Sequence, residues 1–283
     1  MAVFYNYATL SYNQGVTNSN VVTGELVEVI TVTKNAVASG YRSGDTLTYV
    51  VNIINSGNTA YNNLTLTDDL GAFTVGTGTV VPLNYLEGSV QYYVNGVLQA
   101  SPAAVAGPPL TVSGINVPAD SNVAIIYRVT VNEFAPLSLG STITNTASVS
   151  GVGLTTVTAS ETLPVLEEAY LGITKAINPT TVVENEPLTY TFVITNTGNT
   201  AAVATDNVVL SDNFDPALDI TAVTFNGAAW SSPANYSYDR STGVFSTVAG
   251  QITVPAATYS TDPDTGAVAV TPGTAVLTVT GTI

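Results

Sequence analysis

The sequence predicts an all-β chain: two tandem immunoglobulin-like β-sandwiches, the second lacking its final strand, with a donor strand at the N-terminus. Three observations lead there. The 283 residues are filled with short β-branched runs punctuated by Gly, Pro, Asn and Asp. No long stretch repeats its apolar residues every 3.6 positions, so almost no helix is expected. The chain also repeats itself: "LTYVVNIINSGNTA" (47–60) returns as "LTYTFVITNTGNTA" (188–201), and "NLTLTDDL" (63–70) as "NVVLSDNF" (207–214).

The elements follow in order. Residues 1-12 hold a strand, "FYNYATLS", with no partner strand expected within hairpin distance, and residues 13-29 read as a linker. The first sandwich spans 30-150. It opens on "ITVTKNA" (30–36), and the strand after it should turn Leu47, Tyr49, Val51 and Ile53 inward, because successive strand side chains alternate faces. "NSGN" then makes a turn. Residues 151-169 read as a second linker. The second sandwich, 170-283, opens on "LGITKAI" (171–177), turns Leu188, Tyr190, Phe192 and Ile194 inward and uses "NTGN" for its turn. The spacing from Lys34 to Asn55 equals that from Lys175 to Asn196, which fixes the repeat.

The repeat is uneven at its end. After "NVAIIYRVTVN" (122–132) the first sandwich continues to a closing strand, "TITNTASVS" (142–150). The matching segment of the second, "GTAVLTVTGTI", reaches Ile283 with no closing strand after it. That strand has its likeness at the other end: Asn6 and Ala8 of "FYNYATLS" match Asn145 and Ala147 of "ITNTASVS". The spacing from Asn6 to Lys34 also nearly equals that from Asn145 to Lys175. The chain reads as a two-domain repeat cut just before a closing strand. An open sandwich exposes unpaired backbone and an apolar groove. A strand donated by the next subunit satisfies both. Such a head-to-tail contact builds a filament unless it closes a ring. The donor segment is expected to be unordered until it inserts.

Only two lysines occur, Lys34 and Lys175, at equivalent repeat positions. Strand parity turns each inward, with Ile30 and Val32 or with Leu171 and Ile173. The same parity turns in Asp68 with Leu64 and Leu66, and Asp212 with Val208 and Leu210. It also turns in Asn145 with Ile143 and Ala147, and Asn6 with Phe4 and Ala8. Burial disfavours the charged forms of amine and carboxyl alike. A neutral amine is a nucleophile, and a protonated carboxyl can polarise an amide and pass protons. Held beside an Asn side chain, the amine can displace ammonia and form an isopeptide bond. The expected bonds are Lys34–Asn145 within a chain, assisted by Asp68, and Lys175–Asn6 between chains, assisted by Asp212. Asp45 and Glu186, placed at turns, are the alternative acids. A buried Lys–Asp ion pair with Asn as a mere hydrogen-bond partner is the plainer reading of the same residues.

"SGDTLTYVVNIINSGN", "LTLTDDL" and "TITNTASVSG" resemble the conserved-repeat domain of unknown function found in tandem on Gram-positive and archaeal surface proteins. The second copy departs from the pattern, with "ENEPLTYT" where a Gly-Asp turn is usual. The Lys, acid and Asn set is similar to that of isopeptide-bonded Gram-positive pilin and adhesin domains. The resemblance implies an extracellular module, a fibre subunit or a stalk.

Composition narrows the classes. Five Lys and Arg against twenty Asp and Glu give a net charge of -15, which leaves no cationic face for nucleic acid or an anionic membrane. With no Cys there are no disulfides, and with no His the commonest general base and metal ligand is missing. No cofactor or metal is expected, and no catalysis beyond single-turnover self-crosslinking. No apolar run approaches the ~18 residues of a membrane span, and "MAVFYNYATL" is not a signal peptide. Export by another route, such as mother-cell lysis around a spore, would place the protein on a cell or spore surface. Its expected partners are copies of itself and unknown tip or anchor proteins. A stalk or glycan-binding adhesin is the alternative, with Trp230 and the tyrosines of "NYSYD" (235–239) as a sugar platform; a carboxylate glycosidase would need paired acids in a cleft. "TDPDTG" (261–266) reads as a solvated turn before a calcium loop, and "YDRSTG" as a hairpin turn with Asp239 and Arg240 as neighbours.

Overall fold

The computed structural model describes residues 2–26 and 28–283; Met1, counted in the donor strand, and Val27, in the first linker, lie outside the described residues. The fold is all-β, with a single turn of 3-10 helix at Ala204–Asp206 among the described residues. Two separate buried cores form, one for each repeat.

The first sandwich faces two sheets across its core. One sheet orders the lysine strand Ile30–Ala36 at its edge, then Thr46–Asn55, Ser121–Val131, Gln91–Val94 and Val97–Gln99. The other orders Ala103–Val105, Leu110–Val117, the acid strand Tyr61–Asp68, the closing strand Thr142–Gly151 and a further strand, Leu154–Pro164. Leu47, Tyr49, Val51 and Ile53 are all buried, as their parity predicts. Full burial of such side chains is worth about 1.5–3 kcal/mol each, which makes any register slip costly.

The second sandwich keeps the first sheet and only part of the second. Its lysine strand Leu171–Asn178 is again an edge, followed by Pro187–Asn196, Gly273–Thr282, Asp219–Phe225 and Ala228–Ala229. The facing sheet has three strands, Ser211–Asn213, Val244–Thr247 and Tyr236–Asp239. The acid strand Ser211–Asn213 pairs on one side only; where the first sandwich places its closing strand, no described strand lies.

Three expectations need correction. Leu154–Pro164 is no linker: it pairs along the closing strand from Thr142↔Pro164 to Gly151↔Leu154 and lies against the lysine strand. The N-terminal strand is neither lone nor unordered. β1 (Ala2–Asn6) pairs with β4 (Val22–Leu26), and β2 (Thr9–Tyr12) with β3 (Gly15–Asn18), so most of the expected 13-29 linker is its return. The partner of residues 2–6 returns only after a second, smaller hairpin, beyond the reach of a two-residue turn, and so escapes a search for simple hairpins. The arm still stands away from both cores, with Phe4, Tyr5, Tyr7, Leu10 and Tyr12 each more than half exposed.

The two sandwiches touch through the hairpin Thr258–Thr261 and Val268–Thr271, whose Tyr259, Val268 and Val270 pack on the first core. Arg42 pairs with Glu168 across the same junction.

Candidate functional site: two lysine–aspartate pairs

In the first sandwich, Lys34 and Asp68 come from edge and middle strands of opposite sheets and meet inside the core, Nζ to Oδ2 at 2.5 Å, with both side chains fully buried. The same carboxylate oxygen accepts the Tyr127 hydroxyl, and Oδ1 accepts the Leu70 N–H at 3.0 Å. The ammonium also lies 4.8 Å from the centre of the Tyr49 ring. Removing one partner of so buried a pair would cost about 3–5 kcal/mol, because the other charge would be stranded.

Asn145 is the third member. The closing strand pairs with the acid strand through Ala147↔Asp68 and Val149↔Leu66, which sets Asn145 two positions from the aspartate's own partner and on its face. Its residue is fully buried, yet among the described residues neither Oδ1 nor Nδ2 has a hydrogen-bond partner. The hydroxyls of Tyr49 and Tyr127 lie near enough for the amide to pull on their ionisation, without bonding geometry being met. An orphaned buried amide group costs about 1–3 kcal/mol. The contrast with Asn55 and Asn196 is informative. Both are as buried, and both are saturated: Asn55 donates to Thr59 and Pro118 carbonyls and accepts from Gly57. Asn196 donates to Thr200 and Pro255 carbonyls and accepts from Tyr170 and Gly198. Those two asparagines hold turns. Asn145 meets full bonding geometry with no described group, and the Tyr49 hydroxyl near it is equally unpaired.

Burial pushes the Lys34 amine below its ordinary pKa, and the attractions of Asp68, Asp69 and Glu161 offset this only in part. The free-amine fraction is thereby enlarged. The chemistry such a set of groups offers is aminolysis: the amine would add to Cγ of Asn145, Asp68 would carry the amine's proton to the leaving nitrogen, one C–N bond would form and one break, and ammonia would depart.

A pH test follows for the variant that cannot form this bond, Asn145→Ala. Its Lys34 has a folded pKa below the unfolded value of 10.5, so the unfolded chain binds more protons and stability rises with pH. The gain runs from the depressed folded pKa upward, until tyrosines of the unfolded chain ionise near pH ~10. Urea midpoints should therefore be higher at about pH 9 than at about pH 7. A midpoint falling over that window would mean that the Lys34 ion pair outweighs its desolvation.

The second sandwich holds the same pair in the open. Lys175 Nζ lies 2.5 Å from Asp212 Oδ2, but the side chains are 40% and 18% exposed. The ammonium sits over Tyr190, Phe192 and Phe214, 4.5 to 5.5 Å from their ring centres. The strand itself is exposed throughout, against alternate burial in its counterpart. Ile173 is 57% exposed where Val32 is packed on the core. No asparagine of this sandwich takes the place of Asn145 on a described strand beside Ser211–Asn213. Asn6 lies in the arm, paired with Val22, on a segment exposed along its described length.

The turn acids lie elsewhere. Asp45 accepts the Arg42 N–H and closes a turn; Glu186 is exposed beside another. Two neighbours of the Lys34–Asp68 pair are missing from the sequence-based set, Tyr127 on the aspartate and Glu161 near the lysine. Tyr127 is legible, since it shares the face of Ile125 and Val129. Glu161 is hidden because its strand reads as linker. Tyr127 has no equal in the second sandwich: Val279 faces Tyr190 as Tyr127 faces Tyr49.

The remaining candidates are occupied by structure. Trp230 stacks on Phe225 and Tyr236 on Phe245, both at the edge of the second core, while the Tyr238 hydroxyl donates to the Leu218 carbonyl. Asp262 accepts the N–H groups of Asp264 and Thr265 to shape its hairpin turn. Asp239 does the same for Ser241, and Arg240 reaches Asp219 rather than its neighbour.

No protein-family model and no curated protein matches the chain. Among solved structures, BcpA, the major pilin subunit of Bacillus cereus, is 12% identical, with 95% of this chain and 73% of BcpA covered and a TM-score of 0.35. The major pilin SpaD of Corynebacterium diphtheriae is 11% identical, with 86% and 59% covered and a TM-score of 0.37. The pilus backbone protein RrgB of Streptococcus pneumoniae is 13% identical, with 86% and 56% covered and a TM-score of 0.32. At these scores none lends a residue role to this chain.

Proposed function

We propose that this chain is the structural subunit of an extracellular filament, pilus-like or spore-appendage-like. It assembles head to tail by donor-strand complementation and is locked by autocatalytic Lys–Asn isopeptide bonds. One observation carries the reading. The same Lys–Asp pair occurs twice, once sealed under a strand that presents an orphaned Asn145, and once open beside a free strand edge. The arm supplies what the open copy wants: a strand of matching pattern, with Asn6 in the place of Asn145. The acceptor groove is lined by Tyr190, Phe192 and Phe214, and the donor row of Phe4, Ala8 and Leu10 is apolar. Burying Phe4 and Leu10 would contribute about 1.5–3 kcal/mol each, and the main chain would gain the ladder that Ser211–Asn213 offers on its unpaired side. Sealing the groove removes water from Lys175, so reaction follows insertion.

Deleting residues 1–10 tests this. The shortened chain should remain monomeric in electron micrographs and light scattering, with the first sandwich folded and its thermal transition retained. Added peptide "FYNYATLSYN" should cap growing ends of the full chain. Filaments of normal length from the shortened chain would show that another interface drives assembly.

A further inference from the structure

We infer that the donated element is a whole β-hairpin, residues 2–26, and that it inserts preformed as a copy of the closing hairpin 142–164. The inference rests on the donor-strand reading and names its occupant, a second copy of this chain. It begins from register. The shift along the chain that carries Asn6 onto Asn145 maps the pairing of one hairpin on the other at both ends, and between them Thr9 and Leu10 pair one residue off from Ser148 and Val149. Asn145 faces Glu161, and Asn6 faces Val22. Ile143 faces Leu163, and Phe4 faces Gly24. At the tip Gly151 faces Leu154, and Tyr12 faces Gly15. Both hairpins slip register by a single position on the way to the tip, between Val149 and Gly151 in one and between Asn6 and Thr9 in the other. A segment evolved only as a single plug would have no reason to carry a return strand in this register.

The side chains support the match. Ile143 and Leu163 are each 2% exposed and fill the end of the first core together. The arm puts one large and one minimal residue there instead. The Phe4 ring lies across Gly24, so close that a Cβ at 24 would stand 2.2 Å from it. The cross-strand pair thus offers comparable bulk from one side chain. Val22 takes the place of Glu161, while Asn20 and Asn18 take those of Ala159 and Val157, so the charge of the original return strand is gone but its inner row stays partly polar. All of this is bare in the free subunit: Phe4 is 58%, Leu10 63% and Val22 55% exposed.

The acceptor is bare in the complementary places. In the first sandwich the closing strand pairs with the acid strand, and the return strand Leu154–Pro164 lies against the lysine strand. The second sandwich lacks described strands in both positions: the acid strand has a free side, and Leu171, Ile173 and Ile177 on the lysine strand are 37%, 57% and 37% exposed. A single strand would fill the first vacancy and leave the second open along the lysine strand. A hairpin fills both. Carried over, the first-sandwich register sets Ala8 opposite Asp212 and Leu10 opposite Leu210. β3 and β4 then lie along Leu171–Asn178. Since the arm is already paired, less chain order has to be created on docking than for a free peptide.

Hydroxyl-radical footprinting of the unaltered chain tests this, comparing filaments with freshly diluted subunit. Leu10 reports the closing strand and Val22 the return strand. Protection of both by severalfold in filaments is the expected result. Protection of Leu10 with Val22 unchanged would overturn the hairpin and leave single-strand donation standing. Filaments with neither protected would overturn both. Protection of both already in the dilute monomer would mean that the arm closes its own chain, which also overturns intermolecular docking.

Discussion

Filaments boiled in detergent are expected to run as a ladder of multimers, and Lys175→Ala is expected to collapse that ladder to monomer. The expectation follows from the asymmetry between the two lysine sites. Lys34 already has its Asp, its seal and its Asn, so whatever it does stays within one chain. Lys175 has its Asp at 2.5 Å but no asparagine beside it, and Asn6 of the same arm stands exposed. Strand pairing alone gives a contact that heat and detergent dissolve. An amide bond does not dissolve, so the ladder separates the covalent step from the docking step. In filaments of Asn145→Ala protein, whose Lys34 stays free for trypsin, a digest should yield one branched peptide joining residues 1–34 to residues 129–240 through Lys175, lighter by one ammonia than its two parts. Asn6→Ala should erase ladder and branch while leaving filaments that melt at lower temperature. Asp212→Asn should do the same by a different route, keeping the shape of the site and removing its proton carrier. A detergent-stable ladder from Lys175→Ala protein would assign the crosslink to another residue and end this mechanism.

Much of this is legible in the sequence for a simple reason. A strand alternates its faces with a period of two, so an inward lysine can be counted from its apolar neighbours, and Lys34, Asp68 and Asn145 all count inward in this way. The lone copies of Lys at one repeat position make the pair stand out. What the sequence hides is pairing. Leu154–Pro164 reads "LTTVTASETLP", a polar strand whose inner row is Val157, Ala159 and Glu161; so few apolar residues look like linker. The arm misleads for the opposite reason. Its residues 2–6 look like a strand, but their partner, Val22–Leu26, comes only after a nested turn, and only register shows that β1 and β4 belong together. Exposure is equally beyond reach. Leu171–Asn178 and Ile30–Ala36 have the same pattern, and only the absence or presence of a covering strand makes one face wet and the other dry.

The mass of the folded subunit is expected to be one ammonia short of its sequence even when it cannot polymerise. Lys34 and Asn145 are both buried in the first core, with Asp68 hydrogen-bonded to the amine and the amide without partners among the described residues. Holding the groups together removes the entropy of encounter, which accounts for about 7–11 kcal/mol of the barrier to an otherwise slow aminolysis. The bond closes a loop that runs from Lys34 to Asn145, nearly the whole of the first sandwich. By analogy with disulfides, closing a loop of roughly 100 residues takes roughly 4–5 kcal/mol of entropy from the unfolded chain. Against a total of about 5–15 kcal/mol for an ordinary domain, this is about a quarter or more of the stability. Asn145→Ala should therefore show the full sequence mass and a much lower urea midpoint for the first sandwich. Asp68→Asn should also show the full mass, and its fold should suffer less than that of Lys34→Ala, which would leave the carboxylate with only Tyr127 and the Leu70 N–H. The order of events is testable in the same preparation. In protein refolded from urea and sampled over time, loss of ammonia should lag the recovery of buried tyrosine absorbance, because the amine reacts only once the core has closed around it. Wild-type protein that is folded, monomeric and of unreduced mass would show that Lys34 and Asp68 are no more than a buried ion pair, with Asn145 an uncompensated cost of the fold.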